Sequence, residues 1–145
     1  GKNPLVLTER REHADLINQL LVDKKIQTVV MRGAMRAKER KAANERLAKT
    51  QVVVATGKYV GEGFDMPRLD TLFLALPIAW KGSLAQYAGR IHRESDGKSC
   101  VTIYDYVDSS LPMLERMFLK RVKGYKAMGY QVDYIDKGNA MSKLI

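Results

Sequence analysis

The stretch QVVVAT, residues 51–56, sets three valines and an alanine in a row with no polar residue between them. A strand with one face in water alternates apolar and polar side chains, so an unbroken run implies burial on both faces. That is the habit of a parallel sheet covered by helices.

Upstream of this strand, PLVLT at 4–8 and QTVVMR at 27–32 are comparable apolar runs. A helix near 10–23 separates them and puts Ile17, Leu20 and Leu21 on one face. A second helix near 36–48 is alanine-rich and carries Arg36, Lys38, Arg40, Lys41 and Arg46. Downstream, LDTLFLALP at 69–77 and SCVTIYDYV at 99–107 read as further strands, with a helix at about 82–93 between them. Leu114, Phe118, Val122 and Tyr125 mark the apolar face of a helix at about 110–128, with Arg116, Lys120, Arg121, Lys123 and Lys126 opposite. YQVDYI at 130–135 is expected as a last edge strand. The alternation predicts an α/β three-layer sandwich with a mostly parallel central sheet. A single domain is expected over 1–145, with a core at about 4–135 and a loose tail at 136–145.

Composition bounds the function. At 145 residues and 46% hydrophobic content, the chain can bury one good core. No run of about 18 apolar residues occurs, and GKNPLVLTERR has neither a signal nor a transit pattern. A cytoplasmic protein with no membrane contact is expected. The single cysteine, Cys100, has no partner for a disulfide or a metal cluster, and no metal ligand set is expected; Cys100 is expected as a buried structural thiol in a reducing compartment. With 25 Lys and Arg against 16 Asp and Glu, the formal charge is +9, a surplus that attracts nucleic acid or nucleotide phosphates.

In parallel α/β sheets, ligands bind at the carboxyl ends of the strands. The most unusual loop there is ATGKYVGEGFDMPRLD at 55–70, with glycines at 57, 61 and 63 and carboxylates at Glu62 and Asp65. These glycines permit tight backbone turns and close approach of a ligand, but a lone G-x-G does not complete a dinucleotide fingerprint. Later, QYAGRIHR at 86–93 sets Arg90 and Arg93 three residues apart after Gly89. In a chain this basic, such a pair also arises as solvated surface charge.

Taken together and in order, ATGKYVGEGFDMP resembles motif V and QYAGRIHR resembles motif VI of the second RecA-like domain of superfamily 2 helicases and translocases. The segment LVLTERREHADLINQLL at 5–21 is similar to the motif IV region that opens this domain. The resemblance covers roughly residues 4–108, and within the superfamily it leans toward restriction and repair DNA helicases. GEGFD stands where DEAD-box proteins have ARGxD, and Gln86-Tyr87 where they have His-Arg.

The resemblance implies a role for each matched residue. Arg90 and Arg93 become arginine fingers that stabilise charge on a γ-phosphoryl group in transfer, and Gln86 sits one turn before Arg90 to reach the same phosphate. Gly89 permits close packing. Lysine would serve poorly in place of either arginine, because the planar guanidinium makes paired contacts that an ammonium does not. Thr56 and Gly57 match positions that contact the nucleic-acid backbone, and Glu62, Gly63 and Asp65 match those coupling that contact to the nucleotide. Arg10, Arg11 and Arg32 are further candidates for phosphate contact, and the basic 36–48 helix could extend the track. His92 and Trp80 are expected to serve packing at least as readily as chemistry.

No G-x-x-x-x-G-K-[ST] loop occurs in the sequence, so the groups that cradle ATP phosphates and Mg²⁺ are expected on another domain. The resemblance then implies the second motor domain of a longer chain, with ATP and Mg²⁺ bound against an N-terminal RecA-like domain and DNA, rather than RNA, as the partner. Two alternatives stay open on the residues alone: a non-catalytic RecA-like nucleic-acid or nucleotide binding module, and a small α/β phospho-ligand protein.

Overall fold

The computed structural model describes residues 2–32, 36–47, 49–56, 68–75, 88, 91, 100–107 and 110–134. Five strands, β1 (Pro4–Thr8), β2 (Thr28–Met31), β3 (Val52–Thr56), β4 (Thr71–Leu74) and β5 (Thr102–Asp105), form one sheet in the order β2-β3-β1-β4-β5. Every neighbouring pair is parallel. The helices are α1 (Arg11–Asp23), α2 (Ala37–Leu47) and α3 (Pro112–Ala127); Ala88 and Ile91 are also helical.

The register explains the layers. Val29, Val53, Leu5, Leu72 and Ile103 lie side by side across the five strands, followed by Met31, Ala55, Leu7, Leu74 and Asp105. All ten are buried. The apolar ones share a core cluster with Ala43 of α2, Ala88, Ile91 and Tyr125 of α3. Between those two rows, Val30, Val54, Val6, Phe73 and Tyr104 point to the other face, which α1 covers over β1, β2 and β3. The fold is therefore the expected three-layer α/β sandwich, with helices on both faces of a parallel sheet. In β3, Val53 to Thr56 are buried without a break, as the run of valines required.

Two helices end in the same way. At α3, Gly129 (φ 94°) donates to Lys126 and Tyr130 donates to Tyr125, the paired bonds of a Schellman turn. At α1, Lys25 (φ 61°) donates to Val22 and Ile26 to Leu21 in the same pattern, with lysine in the left-handed position that favours glycine. The α3 turn brings Tyr130 against Tyr125, ring centroids 6.0 Å apart, and buries it in the core.

Four expectations need correction. Residues 130–134 do not form a strand: the Schellman turn commits Tyr130 to the core, and the segment runs on without ladder hydrogen bonds. Leu20 is exposed rather than core-facing, because α1 buries only Ala14 fully and Leu20 lies about 60° around the helix from Ile17, away from it. Cys100 is only partly buried, and the Lys2 ammonium donates to its sulfur at 3.3 Å. Arg121, expected on the basic face of the last helix, is buried.

Arg121 is buried because it has a built partner. Its Nε and Nη2 donate to the two oxygens of Asp105 at 2.7 and 2.8 Å, and the Tyr125 hydroxyl donates to the same carboxylate at 2.7 Å. Its guanidinium also lies 5.6 Å from the Phe118 ring centroid. Burial, and then the Asp105 charge, push the Tyr125 phenol far above its ordinary range, so it stays a donor. This triad fastens α3 to the end of β5.

Candidate functional site

All five strands are parallel, so their carboxyl ends lie along one edge of the sheet. Three adjacent ends carry the described site candidates: Arg32 just after β2, Thr56 closing β3, and Arg10 and Arg11 just after β1. The fold therefore brings these candidates, dispersed in sequence, to a common edge.

Their local settings differ. Thr56 is paired in register with Thr8, and both threonines are buried, which leaves Thr56 little side-chain surface for a ligand. Arg32 is half-buried and its Nη1 lies 3.1 Å from both Asp15 oxygens, so α1 holds it in an ion pair. Arg10 and Arg11 are exposed. Arg10 occupies the N-cap of α1, where its side chain makes no capping hydrogen bond. Serine, threonine, aspartate or asparagine would normally accept from the first-turn N–H groups there. With arginine instead, those donors and the positive end of the helix dipole stand beside two guanidiniums.

One residue of this edge escaped the sequence reading. His13, in the first turn of α1, shares a 2.8 Å hydrogen bond with Thr8 Oγ1 through Nδ1. The bond ties the end of β1 to the start of α1. The available signal was a hydroxyl at a strand end followed five residues later by histidine on a helix's first turn, too short a pattern to stand out.

The remaining candidates, Gly57, Glu62, Gly63, Asp65, Gln86, Gly89, Arg90 and Arg93, lie outside the described residues, as do His92, Trp80 and the tail at 136–145. What is described around them is their anchorage. β3 ends at buried Thr56 immediately before 57–67, and Arg68 follows it. The Arg68 guanidinium donates to Asn3 Oδ1 at 2.9 Å, to the Leu47 carbonyl at 2.6 Å and to the Thr50 carbonyl at 3.4 Å. Within QYAGRIHR, Ala88 and Ile91 are helical, three apart and fully in the core.

A cavity of about 750 Å³ lies elsewhere, lined by Lys25, Gln27, Arg46, Lys49 and Thr50 among others, at the amino end of β2. Two helices present their carboxyl ends there, and the cations offset that negative pole. It is not near the strand-end candidates.

Chemically, two exposed guanidiniums and an uncapped helix N-terminus make a donor set suited to phosphate oxygens. Among the described residues, no three His, Cys, Asp or Glu groups come together as cation ligands, and no helix is long and apolar enough to cross a membrane.

Comparison with known proteins fits this arrangement. Residues 1–95 match the family model described as helicase conserved C-terminal domain. The chain is 34% identical over 84 residues to uncharacterized protein 108L of Invertebrate iridescent virus 3, covering 58% of this chain and 76% of that protein. It is 27% identical over 122 residues to transcript termination protein A18 of Fowlpox virus (strain NVSL), covering 81% of this chain and only 26% of that protein. Its fold superimposes on the C-terminal domain of the DEAD-box protein Dbp5 with a TM-score of 0.68 at 16% identity, covering 88% of this chain and 71% of that one. The family model covers about two thirds of the chain and the sheet has the fold of that C-terminal domain: the chain belongs to the helicase conserved C-terminal domain family.

Proposed function

We propose that this chain is the second motor domain of an ATP-dependent DNA helicase or translocase and that it completes the ATP site from across an interdomain cleft. The observation that carries the reading is the extent of the family match, because residues 1–95 include both GEGFD at 61–65 and QYAGRIHR at 86–93. Arg90 and Arg93 act as the arginine fingers, and Gln86 bonds the same phosphate. Glu62, Gly63 and Asp65 couple the nucleotide to the strand. Arg10 and Arg11, backed by the first turn of α1, hold backbone phosphates, together with Arg32, Thr56 and Gly57.

Bound ATP supplies the phosphoryl group whose transfer to water drives the cycle, and Mg²⁺, held by the first domain, neutralises its charge. The chain's own part is to present guanidiniums when the two domains close and to withdraw them afterwards. Grip on phosphates rather than bases makes binding indifferent to sequence and steeply dependent on salt.

The test is nucleic-acid-stimulated ATP hydrolysis by the full-length protein, comparing the native sequence with Arg90→Ala. An arginine finger contributes on the order of 10³ to 10⁵ in rate, so turnover should fall by at least about two orders of magnitude with ATP binding retained. Unchanged turnover would sink the motor reading and favour a non-catalytic binding module.

A further inference from the structure

The geometry points to a second nucleic-acid surface: the outer face of α3 binds the phosphate backbone of a single strand. Arg116, Lys120, Lys123 and Lys126 are all exposed. Spaced four, three and three residues apart, they form one row along the helix. At 1.5 Å rise per residue the row is about 15 Å long. A row of that length can face several successive phosphates of one strand.

Among the described residues, none of the four has an ion-pair partner. Like charges three and four apart repel on a helix, so the row opposes helix formation unless something anionic covers it. The helix dipole accounts for part of the pattern only: Lys123 and Lys126 lie toward the carboxyl end, where cations are favoured, but Arg116 and Lys120 do not. The one acid of α3, Glu115, sits in the first turn.

α2 provides the internal contrast. Its cations alternate with Glu39 and Glu45, Glu39 accepts from the Arg36 N–H at 3.0 Å, and Arg46 donates to the Thr28 carbonyl at 3.1 Å. In α3, the fifth cation, Arg121, is taken into the core and neutralised by Asp105, while the other four are left outside. A straight row with no donor–acceptor pattern beyond charge fits a regularly charged polymer better than a folded acidic protein. α3 also lies beyond the family match at 1–95 and outside the two motif segments in sequence. This surface does not depend on ATP hydrolysis and would stand if Arg90 proved not to be a finger.

The experiment measures binding of a dye-labelled oligothymidine, and of its uridine RNA counterpart, to the full-length protein without nucleotide across a salt series. Lys120→Gln/Lys123→Gln/Lys126→Gln is compared with a control that removes three charges elsewhere, Lys24→Gln/Lys25→Gln/Lys49→Gln. Circular dichroism confirms that both fold. The α3 variant should lower the slope of log affinity against log salt by about 0.7 per charge, roughly two in all, with at least tenfold weaker binding near 0.1 M salt on both strands. The control should change affinity less than about twofold. Equal losses in the two variants would reduce the effect to diffuse net charge and overturn the proposal. No loss in either would overturn it too and leave the row for an acidic protein.

Discussion

The two ends of the sheet are built on opposite principles. At the amino end, Asp70 accepts from the Asn3 N–H and the Thr71 hydroxyl, each at 2.9 Å, and Arg68 bridges Asn3, Leu47 and Thr50. Thr50 Oγ1 donates in turn to the carbonyls of Gln27 or Val52. Polar groups there are spent on joining β1, β4 and the end of α2. At the carboxyl end of β1, Arg10 and Arg11 are exposed, and α1 starts without a side-chain cap. Internal hydrogen bonds therefore dominate at the amino ends of β1 and β4, while two exposed guanidiniums beside an uncapped helix start dominate at the carboxyl end of β1. β5 qualifies the picture: its carboxyl end is closed by the Asp105–Arg121–Tyr125 triad, and the Arg32–Asp15 and Thr8–His13 contacts tie the ends of β2 and β1 to α1, so the exposed part of this edge is Arg10 and Arg11.

Breaking the triad should have the largest effect on stability. Arg121→Ala leaves the Asp105 carboxylate buried without its cation, and removal of one partner of such a pair costs about 3–5 kcal/mol. Chemical denaturation should reveal a loss of that size. A double variant, Asp105→Asn with Arg121→Met, should recover much of it, since apolar replacement of both charges is often neutral. A double variant as unstable as Arg121→Ala would mean that the triad stabilises through more than charge pairing.

A smaller loss is expected at the amino end. Arg68→Ala removes three bonds from a half-buried guanidinium and should cost about 2 kcal/mol, within the range for hydrogen bonds to a charged group. No measurable loss would mean that the amino end is not held as its geometry indicates.

The smallest effect on stability sharpens the contrast most. Arg10→Gln/Arg11→Gln alters exposed side chains, so stability should shift by less than about 0.5 kcal/mol. Single-strand affinity should nevertheless weaken, with the salt slope reduced by about 0.7 per lost phosphate contact. A large loss of stability with unchanged affinity would reverse the roles assigned to the two ends.

Much of the fold was legible because one physical rule governs it. Burial on both faces removes polar residues from a strand, and the runs at 4–8, 27–32 and 51–56 fall on β1, β2 and β3 to within a residue at either end. Helical periodicity located α1 and α3 as well, an alanine-rich basic stretch located α2, and Phe118, Val122 and Tyr125 are buried as their spacing required. The candidate site has a different source. Its residues were assigned by likeness to helicase motifs, and the family match over 1–95 supports the family while leaving the individual roles to experiment.

What the sequence by itself determined is therefore the parallel α/β class, the order of the described elements as far as α3, and the family. Each is written in local composition or in short ordered motifs. Tertiary structure alone decided which charges are structural and which are free. Arg121 and Lys120 are neighbours in a basic run, yet one is buried on a carboxylate sixteen residues away and the other faces solvent. Tyr130 likewise alternates with its neighbours as a strand would, but the turn at Gly129 commits it to the core instead. Partners distant in sequence set the dielectric surroundings and hydrogen bonds of a side chain, and local pattern carries no record of them.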